Sequence, residues 1–392
     1  MTPITTTADL ADFCARAARA PYVTVDTEFL RERTYWAQLC LIQLAIPGDG
    51  AGDAVLVDPI EGGEGLDLAP LYELLRDPSV VKVFHAARQD LEIFHHEGGV
   101  IPAPLFDTQV AAMVAGFGEQ VGYETLVRRI ARAPLDKTSR FTDWSRRPLT
   151  EAQKAYALAD VTHLRVIYEH LNAELTRSGR RAWVDEELAV LGDPATYVTE
   201  PEDAWRRIKT RSASPRFSAV LRELARFREA FAQARDVPRG RVVKDDALIE
   251  LASLRPRGAD DLGKSRLLQR EARRGDIADG ILAAIEAGMA ADVSDMPRDE
   301  RAERPQVNGA LADLLRVLLK AKAEGMGVAS KLIATASDLD RIAAGERDVE
   351  ALRGWRAEAF GRDAILLCEG RLALSAEGEG VRVFEIGPDA AA

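Results

Sequence analysis

The stretch Pro21-Tyr22-Val23-Thr24-Val25-Asp26-Thr27-Glu28 opens on aromatic and β-branched residues and closes on two carboxylates one residue apart. Such residues suit a pleated, half-buried surface, and strand side chains alternate faces, so Asp26 and Glu28 project from one side of one strand. Further β-rich runs follow at Gln38 to Ile46, Ala54 to Val57 and Val80 to His85. Short connections join the first three runs, as between antiparallel neighbours, whereas a helical pattern near Leu66 to Leu75 precedes Val80. This order predicts an α/β unit with a mixed sheet flanked by helices. From about residue 107 onward the pattern is helical.

Two more acids sit downstream at defined places. Asp90 follows the apolar run that ends at His85, early in an amphipathic segment, and Asp160 closes Tyr156-Ala157-Leu158-Ala159-Asp160. After Pro148, Thr150 and Gln153 form a capping-box pattern, and apolar residues recur at helical spacing through Leu164 and Ile167. Tyr156 and Asp160 are then neighbours on one helical face. An Asp-x-Glu on a strand is most often a solvated pair, and Asp90 alone would be an ordinary first-turn helix acid. Together the four carboxylates suit hard divalent cations, which take oxygen ligands. Two such ions about 3.5–4 Å apart stabilise the attacking and leaving oxygens of a phosphodiester undergoing hydrolysis. Tyr156 is placed to hold the attacking water.

The flanking strings resemble ribonuclease D, a family of 3′-to-5′ exonucleases in the DEDD superfamily. The matching stretches are Val-Asp-Thr-Glu-Phe-Leu-Arg-Glu-Arg-Thr-Tyr (25–35), Gln-Leu-Cys-Leu-Ile-Gln-Leu (38–44), Val-Phe-His-Ala-Ala-Arg-Gln-Asp-Leu (83–91), Phe-Asp-Thr-Gln (106–109), Asp-Trp-Ser-Arg-Arg-Pro-Leu-Thr (143–150) and Tyr-Ala-Leu-Ala-Asp-Val (156–161). They cover the first half of the chain. The resemblance implies a ribonuclease H-like exonuclease fold whose metal-binding acids fall on Asp26, Glu28, Asp90 and Asp160, with the catalytic tyrosine on Tyr156. A sister branch carries histidine five residues before the last aspartate; that position is Ala155 here, which points to the tyrosine branch. The implied activity is exonucleolytic trimming of RNA 3′ ends with two Mg²⁺ or Mn²⁺ ions, and the implied partner is RNA, in particular tRNA precursors. The site chemistry does not read the sugar, so a DNA 3′-5′ exonuclease is an alternative. A catalytically silent RNA-binding protein is another, and the presence of all four acids and the tyrosine argues against it.

At 392 residues with 47% hydrophobic content, the chain is long enough for two or three domains. Cys14, Cys40 and Cys368 lie far apart without ligand spacing, as small core residues of a reducing compartment do. The acids Asp9 and Asp12 near the start do not suit a signal peptide, and no apolar run approaches membrane-spanning length, so a soluble, cytoplasmic, monomeric protein is expected. The net charge of −11 runs against a nucleic-acid partner, but residues 201–280 carry 19 Lys and Arg against 13 Asp and Glu.

The stretch Leu191 to Pro201 breaks periodicity with Gly192, Pro194 and Pro201, and a second break, from about Ala290 to Pro305, is charged and nearly without apolar residues. The expected organisation is an exonuclease domain at 1–195, followed by two small all-α domains at 202–289 and 306–386. In the first helical segment, Leu221 to Phe231 has helical spacing, Pro238 and Gly240 force a turn, and Asp245 or Asp246 can cap the next helix. It resembles the HRDC domain shared by certain helicases and ribonuclease D, which implies auxiliary nucleic-acid binding. Residues 307 to about 385 look like a more divergent copy, for which a spacer or structural clamp competes with RNA binding.

Phe29, Gln43 and His85 are candidate substrate contacts. Phe29 follows Glu28 and has the ring to wedge against a terminal base, or equally to join the core. Gln43, in mid-strand, orients substrate or satisfies neighbouring backbone groups, and His85 ends its strand five residues before Asp90. Arg31, Arg33, Arg140, Arg146 and Arg147 are candidate phosphate contacts or surface charges. His95 and His96 are not expected to bind metal.

Overall fold

In the computed structural model, residues 2–50, 52–135, 142–210, 214–294, 296 and 307–386 are described. Five strands, β1 (Tyr22–Leu30), β2 (Gln38–Ala45), β3 (Ala54–Val57), β4 (Val81–Phe84) and β5 (Leu105–Asp107), form one sheet in the order β3-β2-β1-β4-β5. β2 runs antiparallel to β1 and β3, while β4 is parallel to both β1 and β5, so the sheet is mixed as expected. β5 is absent from the sequence reading because three residues are too few to show alternation.

The two sheet faces have different work. Val23, Val25, Ile42 and Leu44 pack into one core with Leu10, Leu71, Leu91 and Phe94, which lie on three helices. The opposite face receives the long helix Glu151–Ser178, anchored where the Thr24 hydroxyl donates to the Val161 carbonyl at 2.9 Å. That helix starts at the capping box read from the sequence, with the Thr150 side chain accepting from the Gln153 amide and the Gln153 side chain accepting from the Thr150 amide.

A separate core around Val220, Leu224, Leu248 and Ile281 joins the helices Pro215–Ala234, Asp245–Leu254 and Gly275–Ala290. Neither Asp245 nor Asp246 caps the second of these. Both lie in its first turn behind Lys244, and the Asp245 carboxylate instead pairs with the buried Arg228 at 2.5 Å. Another core, with Leu315, Leu318, Trp355 and Phe360, joins the helices Gly309–Met326, Ala336–Ala343 and Arg362–Cys368. This third region is helical as expected up to Cys368, after which β6 (Leu372–Glu377) and β7 (Gly380–Glu385) form a hairpin. Its two-residue turn places Gly378 at φ +60°, a left-handed conformation that glycine adopts without steric cost.

The third region docks on the exonuclease region. Trp355 stacks on Trp183 with ring centroids 4.6 Å apart, and Glu187 accepts from Trp355 Nε1 at 2.8 Å and from Arg356 Nη2 at 2.7 Å. Residues 295 and 297–305 of the charged break lie outside the described residues. Among the described residues no helix is long and apolar enough to cross a membrane.

Candidate active site

Strand alternation brings Asp26 and Glu28 to the face covered by the long helix, whose Asp160 comes down beside them. One carboxylate oxygen from each of Asp26, Glu28 and Asp160 lies within 4.8 Å of the others. Asp90, in the first turn of the helix Arg88–Gly98, is close enough to raise the pKa of Asp26 and Glu28 by repulsion. It stands outside the tight trio, and its carboxylate accepts a short hydrogen bond from the Thr27 hydroxyl.

Burial and mutual repulsion dominate the electrostatics. Desolvation, followed by the charges of Asp90, Asp160 and Glu28, holds the Asp26 carboxyl well above the usual range. Burial, then Asp160 and Asp90, pushes Glu28 up to about 9. Asp90 rises to about 7 because it is buried, against the opposing pull of the Thr27 hydroxyl. Gathering partly buried carboxylates without a cation is unfavourable, and their hard oxygens are the donors that Mg²⁺ and Mn²⁺ accept, so the residue set fits divalent metal.

Tyr156, Asp160, Asp26 and His85 line one cavity of about 300 Å³, so four of the residues singled out in the sequence meet at one opening. Tyr123 lines it too and was missed. Its hydroxyl donates to the main-chain carbonyls of Asp160 and Ala159, which ties the helix carrying Asp160 to the segment after β5. A lone tyrosine after a glycine carries no sequence signal for that contact. His85 packs on the Tyr123 ring at 5.4 Å, and its Nδ1 lies 3.0 Å from the Thr108 hydroxyl. That hydroxyl donates to the Phe84 carbonyl, so it accepts from Nδ1–H and leaves Nε2 as the acceptor. Burial lowers the His85 pKa, which keeps the ring neutral near pH 7.

Phe29 and Gln43 do not line this cavity. Phe29, beyond a bulge after Glu28, is half-buried against the main core. Gln43 stands opposite Asp26 in the β1–β2 register, fully buried, with both carboxamide atoms lacking a hydrogen-bond partner among the described residues. It therefore does not serve to satisfy neighbouring backbone groups. Arg147 is bound in an internal ion pair with Asp58, Arg146 is exposed beside Asp143, and Arg31 forks onto Glu92. Arg140 lies outside the described residues. His96 stacks on Trp36 at 3.9 Å and His95 lies 6.0 Å from the Tyr197 ring, so both pack against aromatics.

Fold and acidic cluster together define a 3′-5′ exonuclease. Residues 1–176 match the 3′-5′ exonuclease family and residues 217–285 match the HRDC domain. The chain is 63% identical to ribonuclease D of Jannaschia sp. (strain CCS1), over 98% of this chain and 99% of that protein. Against ribonuclease D of Nitrobacter hamburgensis it is 50% identical, over 97% and 98%. The crystal structure of Escherichia coli RNase D, described as an exoribonuclease involved in structured RNA processing, superposes with a TM-score of 0.80 at 30% identity, covering 94% of this chain and 99% of that one. The chain belongs to the ribonuclease D family, and it is a 3′-5′ exoribonuclease.

Proposed function

We propose that this exoribonuclease matures the 3′ ends of tRNA precursors, releasing nucleoside 5′-monophosphates, through a site where Asp26, Glu28, Asp90 and Asp160 hold two Mg²⁺ or Mn²⁺ ions. The observation that carries this reading is the carboxylate trio within 4.8 Å, with pKa values raised by burial and repulsion. Such ions, when bound, supply Lewis-acid stabilisation of the attacking and leaving oxygens.

The chain's own residues do the positioning. Asp26 and Glu28 sit on a central strand paired on both sides, and the Asp160 backbone is held by Tyr123. Tyr156, one helical turn before Asp160, orients the attacking water through its hydroxyl. His85 offers Nε2 as an acceptor toward a ribose hydroxyl; Gln43 and Phe29, off the cavity, act at most from behind, supporting the strand that carries Asp26 and Glu28. The tRNA assignment rests on family membership and agrees with the structured RNA named for the Escherichia coli relative.

In this reading the exonuclease domain spans 1–195, the HRDC domain 202–289 and a divergent HRDC-like domain 306–386, in a cytoplasmic monomer. The third domain acts as a clamp, which the Trp183–Trp355 stack and the Glu187–Arg356 pair support. The test is to incubate the protein with Mg²⁺ or Mn²⁺ and end-labelled RNA and DNA, each single-stranded or with a stem before the 3′ end. Stepwise 3′ shortening of RNA that stops near the stem is expected. Endonucleolytic fragments, or DNA degraded as fast as RNA, would refute the reading.

A further inference from the structure

The segment that follows β1 is gripped by the first helical region. The amides of Tyr35 and Trp36 both donate to Asp236 Oδ1 at 3.0 Å, and the Tyr35 hydroxyl donates to the buried Glu229. Between the two regions lies a cavity of about 350 Å³, with Arg31, Arg88, Arg207 and Arg239 in its walls and Glu92 as its one carboxylate among the described residues. Arg31 is taken up by Glu92, and Arg239 lies 3.7 Å from Glu229 and 5.8 Å over the Tyr35 ring. Arg88 and Arg207 pair with no carboxylate among the described residues; Arg88 reaches only the Thr196 carbonyl, at 3.4 Å. Two guanidiniums without a counter-charge, one from each region, thus line a single cavity.

Converging cations favour an anion, and the planar guanidinium fork matches phosphate geometry. The volume is near the lower end for a small-ligand pocket and suits one nucleotide. Along the chain the cavity adjoins the elements that carry the acids: Arg31 lies three residues beyond Glu28, at most about 10 Å along extended chain, and Arg88 opens the helix that carries Asp90. A 3′ exonuclease holds the terminal nucleotide at its acids, so a phosphate bound alongside belongs to a nucleotide on the 5′ side.

We propose that this interdomain cavity is a phosphate subsite for the single-stranded RNA upstream of the scissile bond, held through Arg88 and Arg207. The inference rests on the RNA 3′-end reading above. It gives the HRDC contact with the Tyr35 segment a purpose, because the subsite is complete only when both regions are docked.

The test uses the full chain in EDTA, so that RNA is bound without being cut. A short labelled single-stranded RNA is titrated across a range of salt with wild type, Arg88→Gln, Arg207→Gln, the double variant, and Arg382→Gln as a remote charge control. Each lost phosphate contact removes about 0.7 from the slope of log K against log salt, so the double variant should show a slope shallower by about 1.4 and bind on the order of tenfold more weakly near 0.15 M salt. Arg382→Gln should match wild type, and Arg88→Lys with Arg207→Lys should recover most of the slope, which a misfolded variant would not. Unchanged slopes in the double variant, or weaker binding without a slope change, would overturn the subsite. So would a melting shift with AMP or inorganic phosphate that the double variant loses while its RNA slope stays intact, since the cavity would then serve a free anion. A wild-type protein that binds no RNA would strike the underlying substrate reading as well.

Discussion

Replacing Arg147 with Met would test the joint that holds the approach to the helix Glu151–Ser178 against the sheet. The guanidinium donates through Nε to Asp58 Oδ2 at 2.5 Å and through Nη2 to Oδ1 at 2.6 Å, and it reaches the carbonyls of Cys40 and Trp144 at 2.7 and 2.8 Å. The Asp58 side chain is fully buried and also accepts from the amides of Ile60 and Glu61. Met fills much of the same space but leaves that carboxylate in the interior without its cation. Removing one partner of a buried pair costs about 3–5 kcal/mol, and the two amides still serving Asp58 place the expected loss near the lower end, about 3 kcal/mol. In a unit of 150–250 residues each kcal/mol moves the midpoint by about 2–4 °C, so the exonuclease transition should fall by roughly 6–12 °C in calorimetry of the full chain in EDTA. Adding Asp58→Asn removes the stranded charge and should return at least about 1 kcal/mol, a coupling that a double-mutant cycle reads directly. A transition within about 2 °C of wild type would refute the reasoning, because the pair would then hold nothing that solvent cannot replace.

Asp26→Asn should lower RNA hydrolysis at least ~10³-fold while raising the melting temperature of the metal-free protein, because it removes one of several crowded carboxylates. A variant that keeps both activity and the Mg²⁺-induced melting shift would remove Asp26 from the site. Tyr156→Phe should lower turnover with little change in RNA affinity; wild-type turnover would make Tyr156 a packing residue beside Trp144, whose ring lies 6.1 Å away. Lys82 is fully buried, donates to the Asp77 and Ala103 carbonyls, and has its pKa lowered by burial to about 8 from 10.5. Between those values the unfolded chain binds the extra proton, so this residue's contribution to stability should rise with pH by about 3 kcal/mol from pH 8 to 10.5 and stay flat below. The stability difference between wild type and Lys82→Met, which cancels the other titrating groups, should follow that curve. A pH-independent difference would show that Lys82 stays charged in the fold.

Local signals were legible where they rest on adjacent residues. The alternation in Tyr22 to Glu28, the Thr150–Gln153 capping box and the i,i+4 relation of Tyr156 and Asp160 are dictated within a few positions, and each appears in the structure. The mixed sheet followed from connection lengths, since only a helical crossover returns a parallel neighbour. Contacts between distant segments left no local trace. Nothing near Tyr123 announces that its hydroxyl finds the Asp160 carbonyl, and Arg147, read as a candidate phosphate contact, proves to be bound to Asp58, whose burial depends on the whole fold. The cap expected of Asp245 failed for the same reason, because a buried Arg228 seventeen residues away competes for its carboxylate. β6 and β7 carry alternation too short to compete with the helical pattern before them.

Charge placement reconciles an acidic chain with a polyanionic substrate. The clustered carboxylates raise one another's pKa, and divalent cations bound there would cancel most of their repulsion of the substrate. Many of the other acids are neutralised locally by pairs such as Glu174–Arg177 and Asp261–Lys264, and the net acidity that remains is screened by salt beyond about a Debye length. The interdomain cavity does the reverse, gathering four arginines from two regions around one carboxylate among the described residues. In the proposed subsite an RNA strand would meet arginines of both regions where the exonuclease and the first helical region are docked. Two of those arginines, Arg207 and Arg239, belong to the net-basic residues 201–280, while every proposed metal ligand lies before residue 161.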